Sequence, residues 1–267
     1  MRLDQVKAFV LDVDGTLVHR AGDEVHVQPG AVEVLARIRE SGRQLAIFTN
    51  GSHESPAWFA RGLRDAGLDI ADDEMLTPLR SVQAYLRMRR TEGPVLTFAT
   101  EEAREFMLEE GMRLAGADGP VDAVFVAHAD TLDFELLERA ARAVIGGARL
   151  LTASYAPAYA GANGPILSRG AMTTAAIAKA SSTRPVIVGK PSKAAWRTVD
   201  ERLRVPAHEI AMIGDDLTMD VRLGRMGGAR TVLVASGITG RLELGDIPAT
   251  HRPDAIVGGV AELLDLI

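Results

Sequence analysis

Short apolar runs that end in polar, Gly-containing turns recur along this chain. Ala8–Leu11 is apolar throughout and is followed by Asp12-Val13-Asp14-Gly15. An unbroken run of this length predicts a strand buried on both faces, as in a parallel sheet. Pro29 and Gly30 then open a helical pattern. Ala31, Val34, Leu35 and Ile38 share one face, and Gly42 supplies the stop. Leu45–Phe48 predicts a second strand ending at Thr49-Asn50-Gly51, and Pro56 to Ala66 predicts the next helix. Strand, helix, strand, helix predicts an α/β fold around a parallel sheet.

The middle of the chain repeats this alternation. Val95–Ala99, Ala123–Val126 and Leu150–Thr152 predict strands, with helices over Glu101–Glu110 and Phe134–Ile145. Ser154–Gly164 is rich in Ala, Gly, Pro and Tyr and predicts a long loop, a length at which loops are often functional. A helix over Ala171–Ala180 follows, then strands at Val186–Val188, Ile210–Ile213, Thr231–Val234 and Ala255–Val257. No Pro/Gly/Ser linker divides the chain. A second domain would have to enter through short crossings, expected near Thr77-Pro78 and Ser181–Arg184.

Composition narrows the function. The 267 residues are 47% hydrophobic and 25% charged, ordinary for a globular protein. The net charge of -6 argues against nucleic acid as the main partner, since such binders are usually basic. A small anionic substrate stays open, because local cations can overcome a mildly acidic whole. There are no cysteines, which removes disulfides, thiolate metal sites and thiol nucleophiles and fits a reducing cytoplasm. Residues Met1 to Phe9 lack an apolar signal-peptide core, and no apolar run is long enough to span a membrane. A soluble cytoplasmic protein is therefore expected.

The candidate chemistry sits at four strand ends. They carry Asp12-Val13-Asp14-Gly15-Thr16-Leu17, Thr49-Asn50-Gly51, Gly189-Lys190-Pro191 and Gly214-Asp215-Asp216, with Asp220 just beyond. Ligands of parallel α/β sheets bind at the carboxyl ends of the strands. If these ends converge, Asp12, Asp14 and Asp215 share one crevice. Two unit charges about 4 Å apart repel by about 4 kcal/mol at an effective dielectric near 20, so such a set needs a cation. Oxygen ligands without His or Cys suit a hard ion such as Mg2+. Lys190, the Thr49 hydroxyl, the Asn50 amide and backbone N–H groups around Gly15 complete a site for a phosphoryl group. A P-loop is absent, with Arg184 where its first Gly would stand and Pro191 after the Lys, and so is G-x-G-x-x-G after the first strand.

These four motifs, in this order, resemble those of the haloacid dehalogenase superfamily. The long stretch between the second and third resembles the subclass with a large inserted α/β cap, which includes the NagD-like and p-nitrophenyl phosphatase-like enzymes. The resemblance implies a Rossmann-like, doubly wound core over about 1–78 and 181–267, with the cap over 79–180. It implies a Mg2+-dependent phosphatase acting on a small phosphorylated metabolite. Asp12 would be the nucleophile, forming an aspartyl-phosphate, and Asp14 the general acid and then base. Asp12, the Asp14 carbonyl and Asp215 would hold Mg2+. Thr49 and Lys190 would hold the phosphoryl oxygens, with Asn50 and Gly51 shaping that loop. Asp216 and Asp220 would support the metal site without ligating it, and Asp216 also reads as a helix cap. Ser154, Tyr155 and Tyr159 would face the leaving group. A homodimer fits the resemblance. The carboxylate at Asp14 favours phosphoryl transfer over carbon–halogen cleavage. A phosphotransferase or phosphomutase built on the same intermediate, and a ligand-binding protein that retains the fold, are the alternatives.

Two departures from the family pattern stand out. Met219 precedes Asp220 where relatives usually have Thr. After the last cap strand the chain reads Thr152-Ala153-Ser154-Tyr155, without the usual Thr-Asn-x-Asp. Of the six histidines none forms a metal-ligand spacing, and His53, just past the second motif, is the one nearest the expected site.

Overall fold

A computed structural model describes residues 2–21, 24–128, 130–159, 166–239, 245, 247–249 and 251–267. Its main sheet has six parallel strands. Chain order gives β1 (Ala8–Leu11), β4 (Gln44–Phe48), β5 (Met75–Leu76), β12 (Ile210–Gly214), β13 (Arg230–Val234) and β14 (Ala255–Val257), and the spatial order is β14-β13-β12-β1-β4-β5.

Every residue of β1 is buried, because helices cover both faces of the sheet. Phe9 and Leu11 point to one side, against Val34, Leu35 and Ile38 of α1 (Ala31–Glu40) and Phe59 and Leu63 of α2 (Pro56–Asp65). Ala8 and Val10 point to the other, against Val199 and Leu203 of α7 (Lys193–Leu203) and Leu223 of α8 (Arg222–Gly227). This is the doubly wound core. An antiparallel hairpin, β2 (Val18–Ala21) and β3 (Glu24–Val27), follows β1 and was not evident in the sequence pattern.

The second sheet is also parallel, with order β11-β8-β7-β6. It comprises β6 (Val95–Phe98), β7 (Ala123–Val126), β8 (Arg149–Thr152) and β11 (Val186–Ile187). Alternation again sorts its residues. Val95, Phe125 and Leu151 pack on α3 (Pro78–Arg89) and α4 (Glu101–Glu109), while Leu96, Val124 and Leu150 pack on α5 (Phe134–Ile145) and α6 (Arg169–Ser181). A short hairpin, β9 (Ala158–Tyr159) with β10 (Ile166–Leu167), hangs between β8 and α6.

The chain leaves the main sheet between β5 and α3. It returns after β11 instead of at Ser181–Arg184, because Val186 and Ile187 pair with Leu151 and Thr152. Helix α3 packs between the cap sheet and α7, where Thr198 Oγ1 donates to Ser81 Oγ at 3.1 Å. Cap and core therefore share a buried seam.

Candidate active site

Strand register builds the site. Leu11 lies opposite Ile213 on one side and Ile47 on the other. The residues that follow these three strands are thereby forced to one edge: Asp12 between Asp215 and Thr49. The chain runs from β1 outward through β4 and β5, then resumes on the other side of β1 at β12. The site lies at that switch point, where a crevice opens in sheets of this kind.

Lys190 is the hub. Its side chain is 3% exposed, and its ammonium donates to Asp12 Oδ1 at 2.5 Å, Asp220 Oδ1 at 2.7 Å and the Phe48 carbonyl at 2.7 Å. All three donors are used, as a buried charge requires. Burial pushes the ammonium down, and the two carboxylates more than reverse this, leaving Lys190 above its ordinary range. Burial raises the Asp12 carboxyl to about 7 against the opposing pull of Lys190.

Asp215 sits in a slot of backbone. Its Oδ2 accepts from Ile238 N–H at 2.6 Å. A Cβ on Gly237 would stand 1.9 Å from that oxygen and one on Gly15 2.3 Å, so both positions admit only glycine while Asp215 stays in place. Burial, then the charge of Asp12, raises Asp215 to about 7. Asp220 is raised too, again chiefly by burial.

One carboxylate oxygen from each of Asp12, Asp215 and Asp220 lies within 4.8 Å of the others. When all three are ionised, Lys190 cancels one charge and two negative charges remain, which a divalent cation would neutralise. The donors are all oxygen, which suits a hard ion. Lys190 and the Asp216 N–H occupy the two oxygens of Asp220, at 2.7 and 3.2 Å. Asp12 Oδ2 and Asp215 Oδ1 take none of these hydrogen bonds and are the oxygens open to an ion.

The remaining expected residues divide. Thr49 is buried at the site, and its Oγ1 accepts from Gly51 N–H at 3.0 Å. Asn50 turns to the Lys190 backbone, donating to its carbonyl at 2.9 Å and accepting from its N–H at 2.7 Å. It thus fixes the backbone that carries the lysine. Asp216 caps the following turn, with Oδ1 accepting from Thr218 N–H, Thr218 Oγ1 and Met219 N–H. That turn, Leu217–Val221, is a π-helical one, a form frequent at functional sites. The Asp14 side chain is half exposed and bonded at 2.6 Å to Nε of Arg20 on β2. Ser154 and Tyr155 follow Ala153, whose carbonyl accepts from Gly189 N–H at 3.1 Å, so the cap loop starts beside Lys190. Tyr159 is placed by its backbone in β9, and 160–164 of the predicted loop lie outside the described residues.

Matches to known proteins agree with this geometry. Residues 9–113 match a family model described as haloacid dehalogenase-like hydrolase, and residues 187–263 match a second described as HAD-hydrolase-like. Ribonucleotide monophosphatase NagD of Escherichia coli K12 is 30% identical over 259 residues, covering 97% of this chain and 98% of that protein. The chain belongs to the haloacid dehalogenase-like hydrolases. Within them it is NagD-like, with an inserted cap. Dihydroxyacetone phosphatase of Corynebacterium glutamicum is 26% identical over 97% of this chain and 90% of its own. The crystal structure of 4-nitrophenylphosphatase from Thermotoga maritima superposes with a TM-score of 0.87 at 26% identity, covering 98% of each chain.

Several residues of this hydrolase escaped the sequence reading. The Phe48 carbonyl, Gly237 and the Ile238 N–H act through backbone, which leaves no side-chain signature. Met219 accepts a long contact from the Asn50 amide, 3.8 Å from Nδ2 to sulfur, so the departure from the family pattern sits directly on the second motif. His53 meets Phe59, Trp58 and the cap residue His128 edge to face, with centroids 5.0, 5.6 and 5.8 Å apart. Thr100, also in the cap, donates to the His53 carbonyl at 2.6 Å. Burial, then His128, holds the His53 imidazole below its ordinary range, favouring the neutral ring.

Proposed function

We propose that this protein is a Mg2+-dependent phosphomonoesterase acting on a small phosphorylated metabolite through an aspartyl-phosphate on Asp12. The reading rests on one observation above all. At the end of the central strand, Asp12 is buried and bonded to Lys190 through one oxygen, and it shares with Asp215 and Asp220 a set of carboxylate oxygens within 4.8 Å of one another.

Asp12 attacks phosphorus, and the bond from phosphorus to the alcohol oxygen breaks. The departing alkoxide takes a proton from Asp14. A water then attacks the same phosphorus, gives its proton to Asp14, and restores Asp12 as phosphate leaves. Lys190 tethers the nucleophile and supplies positive charge to the transferring group, and the Thr49 hydroxyl and Gly51 N–H line the same edge. Asn50 holds the Lys190 backbone in register. Asp12, the Asp14 carbonyl and Asp215 would hold Mg2+, which offsets the repulsion between anionic nucleophile and anionic substrate. Asp216 and Asp220 support this set through the capped turn and the lysine. The cap over 79–180, with β11 joined to its sheet, brings the loop that starts at Ser154 and Tyr155 toward the leaving group. The names of the relatives, a ribonucleotide monophosphatase and a dihydroxyacetone phosphatase, support a small phosphate ester without choosing among them.

The test is phosphate release from a panel of phosphorylated metabolites, with Mg2+ and with chelator. Release is expected from one compound class, only with the metal, and Asp12→Asn is expected to abolish it. Near-normal turnover by that variant would overturn the mechanism.

A further inference from the structure

The proposed chemistry leaves one question about Asp14. A general acid must present its carboxyl to the leaving oxygen at a defined angle, yet this side chain is 53% exposed in a turn and has little packing to hold it. The structure gives it a single side-chain partner among the described residues, Nε of Arg20 at 2.6 Å on Oδ1. Oδ2 is left for the substrate.

Backbone ties both residues to one rigid piece. Asp14 forms a bridge with Val18, and Gly15 N–H donates to the Val18 carbonyl at 2.8 Å. Val18 begins β2, and Arg20 stands two residues along it, paired with Val25 of β3. Gln28 N–H donates to the Leu17 carbonyl at 2.9 Å and closes the far end of the hairpin. The Arg20 backbone is thus held at a fixed distance from the turn that carries Asp14, with the guanidinium in reach of its carboxylate. An exposed ion pair of this kind contributes little to stability. Its consequence is geometric, and orientation of a reacting group is worth far more to a rate than the same contact is to folding.

We propose that Arg20 is a positioning residue, holding the Asp14 carboxyl through Oδ1 so that Oδ2 meets the leaving-group oxygen. This rests on the phosphatase reading and on Asp14 as its general acid. It predicts a dependence on the leaving group that a merely structural role would not produce. Nitrophenolate departs without a proton, whereas an alkoxide needs one.

The experiment compares kcat/KM, which reports formation of the aspartyl-phosphate, for p-nitrophenyl phosphate and a set of alkyl phosphates in wild type, Arg20→Gln and Arg20→Lys. Arg20→Gln is expected to lower kcat/KM for the alkyl phosphates by about tenfold or more while leaving p-nitrophenyl phosphate within about twofold. Arg20→Lys, which keeps a cationic donor, should recover part of the loss. The Tm of both variants should match wild type. An equal loss on both substrate types, or no loss on either, overturns the assignment. Failure of the wild type to release phosphate from any of them overturns the phosphatase reading itself, and the role of Arg20 with it.

Discussion

Lys190 shows how one side chain can hold a site together. Two of its three acceptors are carboxylates buried with it, so removing the ammonium leaves charges with no partner. Breaking a buried pair in this way costs about 3–5 kcal/mol. Lys190→Met should therefore destabilise the metal-free protein by about that much near pH 8, and by less near pH 6, where Asp12, raised to about 7, takes up a proton instead. Urea unfolding at the two pH values measures this, and an equal loss at both would contradict it. Asp12, Thr49 and Asp215 were legible in position because each follows an apolar strand of the main sheet and register brings those strand ends together, whereas Lys190 reaches the same edge from β11 of the second sheet. Asp216 was legible as a cap. The partners of Asn50 and Asp14 were not, because a side chain's choice among nearby polar groups depends on neighbours from distant parts of the chain. Asn50 reaches the Lys190 backbone and Asp14 reaches Arg20, and neither spacing announces the contact.

Among the elements, the chain just past the ends of β8 and β11 makes a tight crossing. Gly189 passes so near that a Cβ there would lie 2.3 Å from the Ala153 carbonyl and 2.6 Å from Asn50 Oδ1. The first contact is backbone and cannot step aside. Gly189→Ala should push apart the cap strand and the loop carrying Lys190. Displacing reacting groups by about 1 Å costs on the order of a hundredfold in rate. A fall of at least about tenfold in kcat/KM, with the fold retained by circular dichroism, is the expected result, and unchanged kinetics would refute the tight crossing. Five of the six core strands were legible at this scale, their boundaries shifting by a residue or so, while β5, only two residues long, was not. Helices α3 and α7 were passed over for a physical reason. Their buried faces use Ser81, Gln83, Ala194, Ala195 and Thr198, small or polar residues that blur the helical stripe but suit a close helix–helix seam. The β2–β3 hairpin has charged and His residues along it and gives no strand-like run.

For the molecule as a whole, the site makes stability depend on pH and on metal. Burial raises Asp12 and Asp215 to about 7 from the ordinary carboxylate range. Between that range and about 7 the native state binds protons that the unfolded chain has released. The stabilisation is full below the unfolded pKa and is lost as pH rises through about 7. A divalent cation replaces those protons, so its affinity should rise over the same interval. Calorimetric Tm should fall from about pH 5 to about pH 8 in chelator and stay level in saturating Mg2+; parallel slopes would contradict the assignment of these carboxylates to the ion. The central claim is narrower, that phosphorus is transferred to Asp12. Mass spectrometry of the peptide containing Asp12, after acid quench during turnover of p-nitrophenyl phosphate with Mg2+, tests it most directly. A phosphoryl group is expected on that peptide, absent without metal and absent in Asp12→Asn. Steady phosphate release with no such adduct, unchanged in the variant, would contradict it.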